Sequence, residues 1–149
     1  MLPNCDVLLT DLPEAEEIIT RNIDASSPST SSSISFCVLD WEEAIPKSIE
    51  DRQFDLILVS DCTYNSDSIP ALVKTLSALV ERSPNAVIVL AMKPRHSSEA
   101  IFFDLMSGTG LNISGHTTTC LPVMQQSDDE ERLDTVHIYV FEERGNGRL

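Results

Sequence analysis

The stretch that most restricts the fold runs from Phe54 to Tyr64, FDLILVSDCTY. Leu56, Ile57, Leu58 and Val59 follow one another without a polar break, then come Ser60, the acid Asp61, and Tyr64 three residues later. A short apolar run with no alternation reads as a strand buried on both faces, the condition of a parallel sheet covered by helices. Ligands of such sheets bind beyond the carboxyl ends of the strands. Asp61 therefore stands where a ligand would be met.

Two earlier runs share this form. DVLLT, Asp6 to Thr10, ends at Asp11, and ISFCVL, Ile34 to Leu39, ends at Asp40 and Trp41. Between them, Pro13 suits the first turn of a helix, with Glu14, Glu16 and Glu17 near its positive end. Ala15, Ile18, Ile19 and Ile23 recur at helical spacing. DASSPSTSSS, residues 24–33, is serine-rich and is expected to be a flexible surface loop. EEAIPKSIEDRQ reads as a polar connection. After Tyr64, NSDS offers helix N-caps and Pro70 fits a first turn. Ile69, Leu72, Val73, Leu76, Leu79 and Val80 then mark one apolar helix face through Arg82. AVIVLA, Ala86 to Ala91, is a further apolar strand, and KPRH leads out of it to a helix over EAIFFDLM, capped by Ser97 or Ser98 and closed by Gly108. A weaker strand around Ile113 to Cys120, an acidic loop over residues 125–134, a last strand from Thr135 to Phe141 and a frayed tail over residues 144–149 complete the chain.

Alternating strands and helices predict a single α/β domain over residues 1–149 with a mainly parallel sheet. Right-handed crossovers in such a sheet bring Asp11, Asp40 with Trp41, and Asp61 with Tyr64 to one edge, where three acids would line one crevice. A carboxylate at such an edge can accept bonds from ribose hydroxyls, and an acid followed by tryptophan can take an adenine. Taken singly, each residue has a plainer reading: Asp11 as a helix cap, Trp41 as cover for a sheet edge, Tyr64 as packing.

Composition narrows the classes of function. Ten basic residues among 24 acidic ones give a net charge of −14, which excludes a duplex-binding surface and favours basic protein partners. Cys5, Cys37, Cys62 and Cys120 form no CxxC pair, so neither a disulfide framework nor a zinc site is expected. His96, His116 and His137 show no ligand spacing, so structural roles are expected for all three and no metal is assigned. The start MLPNCDVLLTDLPEAEE lacks a basic n-region, and no apolar run approaches the roughly 18 residues of a membrane span. A soluble cytoplasmic or nuclear protein is expected.

The segments LTDLPEAEEIITRNI, VLDW and FDLILVSDCTY, followed by SIPALVKTLSALV and HIYVFEE, are similar in order and separation to the seven-β-strand S-adenosylmethionine-dependent methyltransferases. The resemblance is to the protein-lysine methyltransferase group with an Asp-x-x-Tyr motif after the fourth strand, and covers about residues 6–143. It implies a Rossmann-like seven-strand sheet and S-adenosyl-L-methionine as cofactor. It also implies methyl transfer to a lysine side-chain amine of a protein substrate. On it, Asp11 contacts the cofactor ribose, Asp40 and Trp41 flank the adenine, and Ser60 lies against the cofactor's amino-acid part. Asp61 and Tyr64 then shape the opening where the amine meets the methyl group. A small-molecule amine as acceptor, or a non-catalytic interaction module, are the alternatives.

Members of this class begin with a strand leading into a glycine-rich turn. Here only MLPNC precedes Asp6. Gly108-Thr109-Gly110 follows a helix, and Gly145-Asn146-Gly147 lies in the tail. The chain is therefore expected to be an N-terminally truncated version, lacking the central first strand and the main cofactor cradle. Without that strand, the strands ending at Asp11 and Asp61 either close up, stay in separate sheets, or take another segment between them.

Overall fold

A computed structural model of the protein describes residues 5–26, 32–94, 98–122 and 133–143. The chain forms two compact units, Met1–Arg52 and Gln53–Leu149. Of the three arrangements above, the described strands adopt two sheets.

In the first unit, β1 (Asp6–Asp11) and β2 (Ser33–Val38) pair in parallel, from Asp6 opposite Ser33 to Asp11 opposite Val38. Ser33 Oγ donates to Asp6 Oδ1 at 2.6 Å, which pins the start of the register. The connection is helical, as parallel pairing demands. Pro13 opens a 3-10 turn (Pro13–Ala15) that runs into α1 (Glu16–Ala25), which packs on β2. Ala15, Ile19 and Ile23, four residues apart, form its half-buried stripe, whereas Ile18, expected on the same face, is 52% exposed. The serine-rich loop expected over residues 24–33 is entered by α1 and left by β2, and residues 27–31 lie outside the described residues. The connection read as polar contains a helical turn, α2 (Lys47–Glu50). Its Ile49 is buried, because a single turn can turn one apolar side chain inward while its neighbours stay in water. The Cys37 thiol lies 3.3 Å from Ser48 Oγ, joining β2 to α2.

The second unit is a four-stranded sheet, β3-β4-β6-β5, with two helices. Its strands are β3 (Leu56–Ser60), β4 (Val87–Met92), β5 (Leu111–Pro122) and β6 (Leu133–Glu143). Its helices are α3 (Ile69–Arg82) and α4 (Ser98–Ser107). β3 and β4 are parallel, joined through α3. β6 runs antiparallel to both β4 and β5, so the parallel order expected for most of the sheet stops at β4. All six residues expected on the apolar face of α3 are buried, together with Thr75. Ile88, Leu90 and Met92 bury one face of β4, in register with Phe141, Tyr139 and His137 of β6. Phe102 of α4 meets Phe141 edge to face, with ring centres 6.1 Å apart.

The reading of β3 as a strand buried on both faces needs correction. Val59 is buried and Ile57 half-buried, but Leu56 is 47% and Leu58 71% exposed. β3 is an edge strand of its sheet, and only the face shared with Ile88 and Leu90 is covered. Gly108 follows the last residue of α4, where it was expected to close the helix, with its N–H on Leu105 O at 3.0 Å, and Gly110, with φ of 84°, makes the turn into β5. The KPRH exit and the acidic loop are only partly described: residues 95–97 and 123–132 lie outside, as does the tail 144–149. No described helix is long and apolar enough to cross a membrane.

Phe102 is fully buried against Phe103 and Phe141. Phe102→Ala should therefore cost about 3–5 kcal/mol, while Leu58→Ser should stay within about 0.5 kcal/mol. Urea unfolding of the two variants checks this, and equal losses would mean that Phe102 is not core.

Candidate active site

In the first unit, the parallel ladder closes with Asp11 opposite Val38, and Leu39 N–H donates to Asp11 O at 2.9 Å. Asp11 and the Asp40-Trp41 pair thus leave β1 and β2 at the same end of that sheet. Asp11 is exposed, and its Oδ1 accepts the N–H of Leu12 at 2.7 Å. It does not cap the following helical turn, whose N-cap is Leu12 with no side-chain cap bond. Asp40 Oδ1 accepts Glu42 N–H at 2.9 Å, and Glu43 N–H donates to Asp40 O at 3.2 Å. This Asx turn holds Trp41 at its tip, half-buried. Each carboxylate accepts a backbone N–H through one oxygen, and its second oxygen is an acceptor as well.

In the second unit, Ser60 ends β3 opposite Ala91, and Asp61 N–H donates to Ala91 O at 2.9 Å, one step beyond the strand. The chain then breaks away sharply. Among the described residues Asp61 is the one non-glycine residue with positive φ, at 53°. The left-handed region costs about 1–2 kcal/mol for most L-residues and less for aspartate, whose short polar side chain tolerates it. The Cys62 thiol donates to Ser60 O at 3.1 Å, tightening the same turn. Thr63 is 3% exposed, with Oγ1 against Met92 Sδ at 4.0 Å. Tyr64 is 66% exposed. Beyond it, Asn65 Oδ1 accepts Asp67 N–H at 3.1 Å and Asn65 Nδ2 donates to Ser68 Oγ at 3.0 Å, leading into α3.

The motif is therefore anchored through its middle. Thr63 is drawn into the core, and the two ends, Asp61 and Tyr64, stay at the surface. The ends stand out in the sequence and Thr63 does not, while Asn65 belongs to the NSDS segment that offers helix N-caps. The signal available was modest: a threonine two residues past the strand acid, and an Asn-x-Asp turn before Pro70. Ser60 is exposed at the strand tip.

In the first unit, Asp11, Asp40 and Trp41 suit the ribose and adenine of the cofactor implied by the sequence. Asp11 and Asp40 present acceptors, as a ribose diol and an exocyclic amine require. Trp41 offers an aromatic face.

Comparison with known proteins bears on the family and the fold. A lysine methyltransferase family model matches residues 1–109. A UPF0665 family protein of Schizosaccharomyces pombe is 30% identical over 106 residues, covering 71% of this chain and 32% of the yeast protein. The EEF1A lysine methyltransferase 3 of Mus musculus is 35% identical over 103 residues, covering 68% of this chain and 42% of the mouse protein. The chain thus spans less than half the length of these curated relatives. A SAM-dependent methyltransferase structure from Methanosarcina mazei superimposes with a TM-score of 0.65 over 93% of this chain and 82% of its own, at 11% identity, which speaks for the fold alone. The fold is the Rossmann-like α/β fold of S-adenosylmethionine-dependent methyltransferases, and the chain belongs to the lysine methyltransferase family.

Proposed function

We propose that the protein is an S-adenosylmethionine-dependent protein-lysine N-methyltransferase, with residues 1–149 serving as a single methyltransferase-like domain. The observation that carries the reading is the exit of β3. There, an aspartate in a left-handed conformation and a tyrosine 66% exposed are presented at a strand's carboxyl end, in a chain of this family. When bound, the cofactor supplies a methyl group activated on a sulfonium.

In this reading Asp11 accepts from the ribose hydroxyls, Asp40 accepts from the adenine amine, and Trp41 covers the base. Ser60 contacts the amino-acid part. Asp61 and Tyr64 receive the acceptor amine. Asp61 positions it; a carboxylate beside an amine favours the charged form, so a strong-base role is excluded on electrostatic grounds. Tyr64 supplies an apolar wall that orients the amine for in-line transfer. The substrate is a protein presenting a lysine. The net charge of −14 attracts basic surfaces, and EEF1A, from the mouse relative's name, is the first substrate to try.

Labelled methyl transfer to EEF1A, to protein extract and to metabolite amines tests the reading, using the chain alone and joined to an upstream glycine-rich segment. Label on protein lysine is expected. Label on metabolites alone would sink the protein-substrate claim, and none in any version would leave a non-catalytic acidic interaction module. In the active version, Asp11→Ala should weaken cofactor binding roughly tenfold or more, the scale of a lost hydrogen bond to a charged group. Calorimetry measures it, and an unchanged Kd would remove Asp11 from the cofactor site.

Asp61→Gly separates backbone from side chain, because glycine takes positive φ at no steric cost. The turn should be kept while kcat falls about 100-fold, the scale of a misplaced acceptor. Full activity in a folded Asp61→Gly variant would mean that the carboxylate has no part in the reaction.

A further inference from the structure

The β5-β6 hairpin carries a cluster that the proposed reaction does not use. Its antiparallel register sets His116 opposite Tyr139 and Thr118 opposite His137. His137 and Tyr139 are two residues apart, so they share a face, and His116 is the diagonal neighbour of His137 across the ladder. His116 Nε2 lies 3.1 Å from His137 Nδ1, and Tyr139 Oη lies 3.4 Å from the same Nδ1. The His116 ring stacks on Tyr139 at 4.3 Å and 7°, and Tyr139 meets Phe103 of α4 at 4.8 Å. One imidazole is thus held by stacking, on a tyrosine that is itself held by the core. His116 is exposed and His137 half-buried, so solvent reaches the pair.

Two ring nitrogens facing each other at this distance share one proton or one other Lewis acid. Nitrogens bound at about 2.0–2.1 Å to one tetrahedral metal lie about 3.3–3.4 Å apart, a few tenths of an ångström from the spacing seen. We propose that His116 Nε2 and His137 Nδ1 form a binding site for a divalent first-row transition-metal ion, with Tyr139 Oη beside it as an oxygen donor and water completing the shell. The ion takes the place of the shared proton, which moves to the remote nitrogen of the ring that carried it. Both imidazoles then stay neutral and ligate through lone pairs, after a side-chain rotation that turns those lone pairs toward the ion. Imidazole and oxygen donors suit Cu(II), Ni(II) and Zn(II) rather than Mg(II), with Cu(II) tightest. Among the described residues no group of three or more His, Cys, Asp and Glu converges on a metal. The site is accordingly open and exchangeable, and an ion in it clamps β5 to β6.

The test is titration of the 149-residue chain with Cu(II), Zn(II) and Mg(II), followed by calorimetry, thermal melting and the electron paramagnetic resonance of the Cu(II) form. Saturable Cu(II) and Zn(II) binding is expected, with nitrogen superhyperfine structure and a metal-dependent rise in Tm, and no response to Mg(II). His116→Gln and His137→Gln should each weaken binding at least about tenfold and abolish the rise in Tm. Cys120→Ser, on the same strand, should bind as wild type. Wild-type protein without nitrogen coupling, histidine variants with unchanged affinity, or loss of binding in Cys120→Ser would each overturn the proposal. If His137→Gln fails to fold, the exposed His116→Gln and the wild-type spectrum decide. None of these readouts depends on methyl transfer.

Discussion

Burial of one face of the four-stranded sheet beneath α3 and α4 is the constraint on which the second unit depends. Ile88, Leu90 and Met92 of β4 are all buried on that face, in register with Val59 on one side and Phe141 on the other. A one-residue slip of β4 would turn Val87, Val89 and Ala91 inward and put three large buried side chains into water. The β3-β4 register therefore cannot drift. The position of Asp61 follows from it, because its N–H continues the ladder to Ala91 O before the chain turns away. The same face carries Met92, against which Thr63 is set. Core packing thus decides where the exposed ends of the Asp-x-x-Tyr motif stand.

How much of this was legible in the sequence depended on whether the information is local. The α3 stripe was read residue for residue, because helical spacing encodes which side chains share a face. Strand ends at Asp11, Asp40 and Asp61 were legible because an acid or a turn interrupts an apolar run. Exposure of Leu56 and Leu58 was not legible, since an apolar run carries no record of how many neighbours its strand pairs with. Ile49 was missed because one apolar residue in a polar stretch has no periodicity to betray it. The antiparallel placement of β6 was equally hidden, being set by long-range pairing.

The site divides in the same way. Asp11, Asp40, Trp41, Ser60, Asp61 and Tyr64 were legible as candidates by residue type and position. What holds them was not: the Asx turn at Asp40, the positive φ of Asp61 and the burial of Thr63 are properties of folded backbone. His116 and His137, 21 residues apart, look unrelated until a hairpin register makes them diagonal neighbours. Spacing rules for metal ligands describe short loops and single helices, and a long hairpin escapes them.

For lysine methylation, the chemistry of the β3 exit sets a further requirement. A lysine amine has a reference pKa of about 10.4, so supplying its neutral form at pH 7 costs roughly 4–5 kcal/mol. Asp61 cannot lower that cost, since a carboxylate stabilises the ammonium. Desolvation can, but Tyr64 at 66% exposure and Asp61 on the surface do not exclude water by themselves. In the proposed reaction the drying of the site must therefore come from whatever closes over Tyr64. A protein surface can do this, contributing apolar area around the lysine stem as it docks.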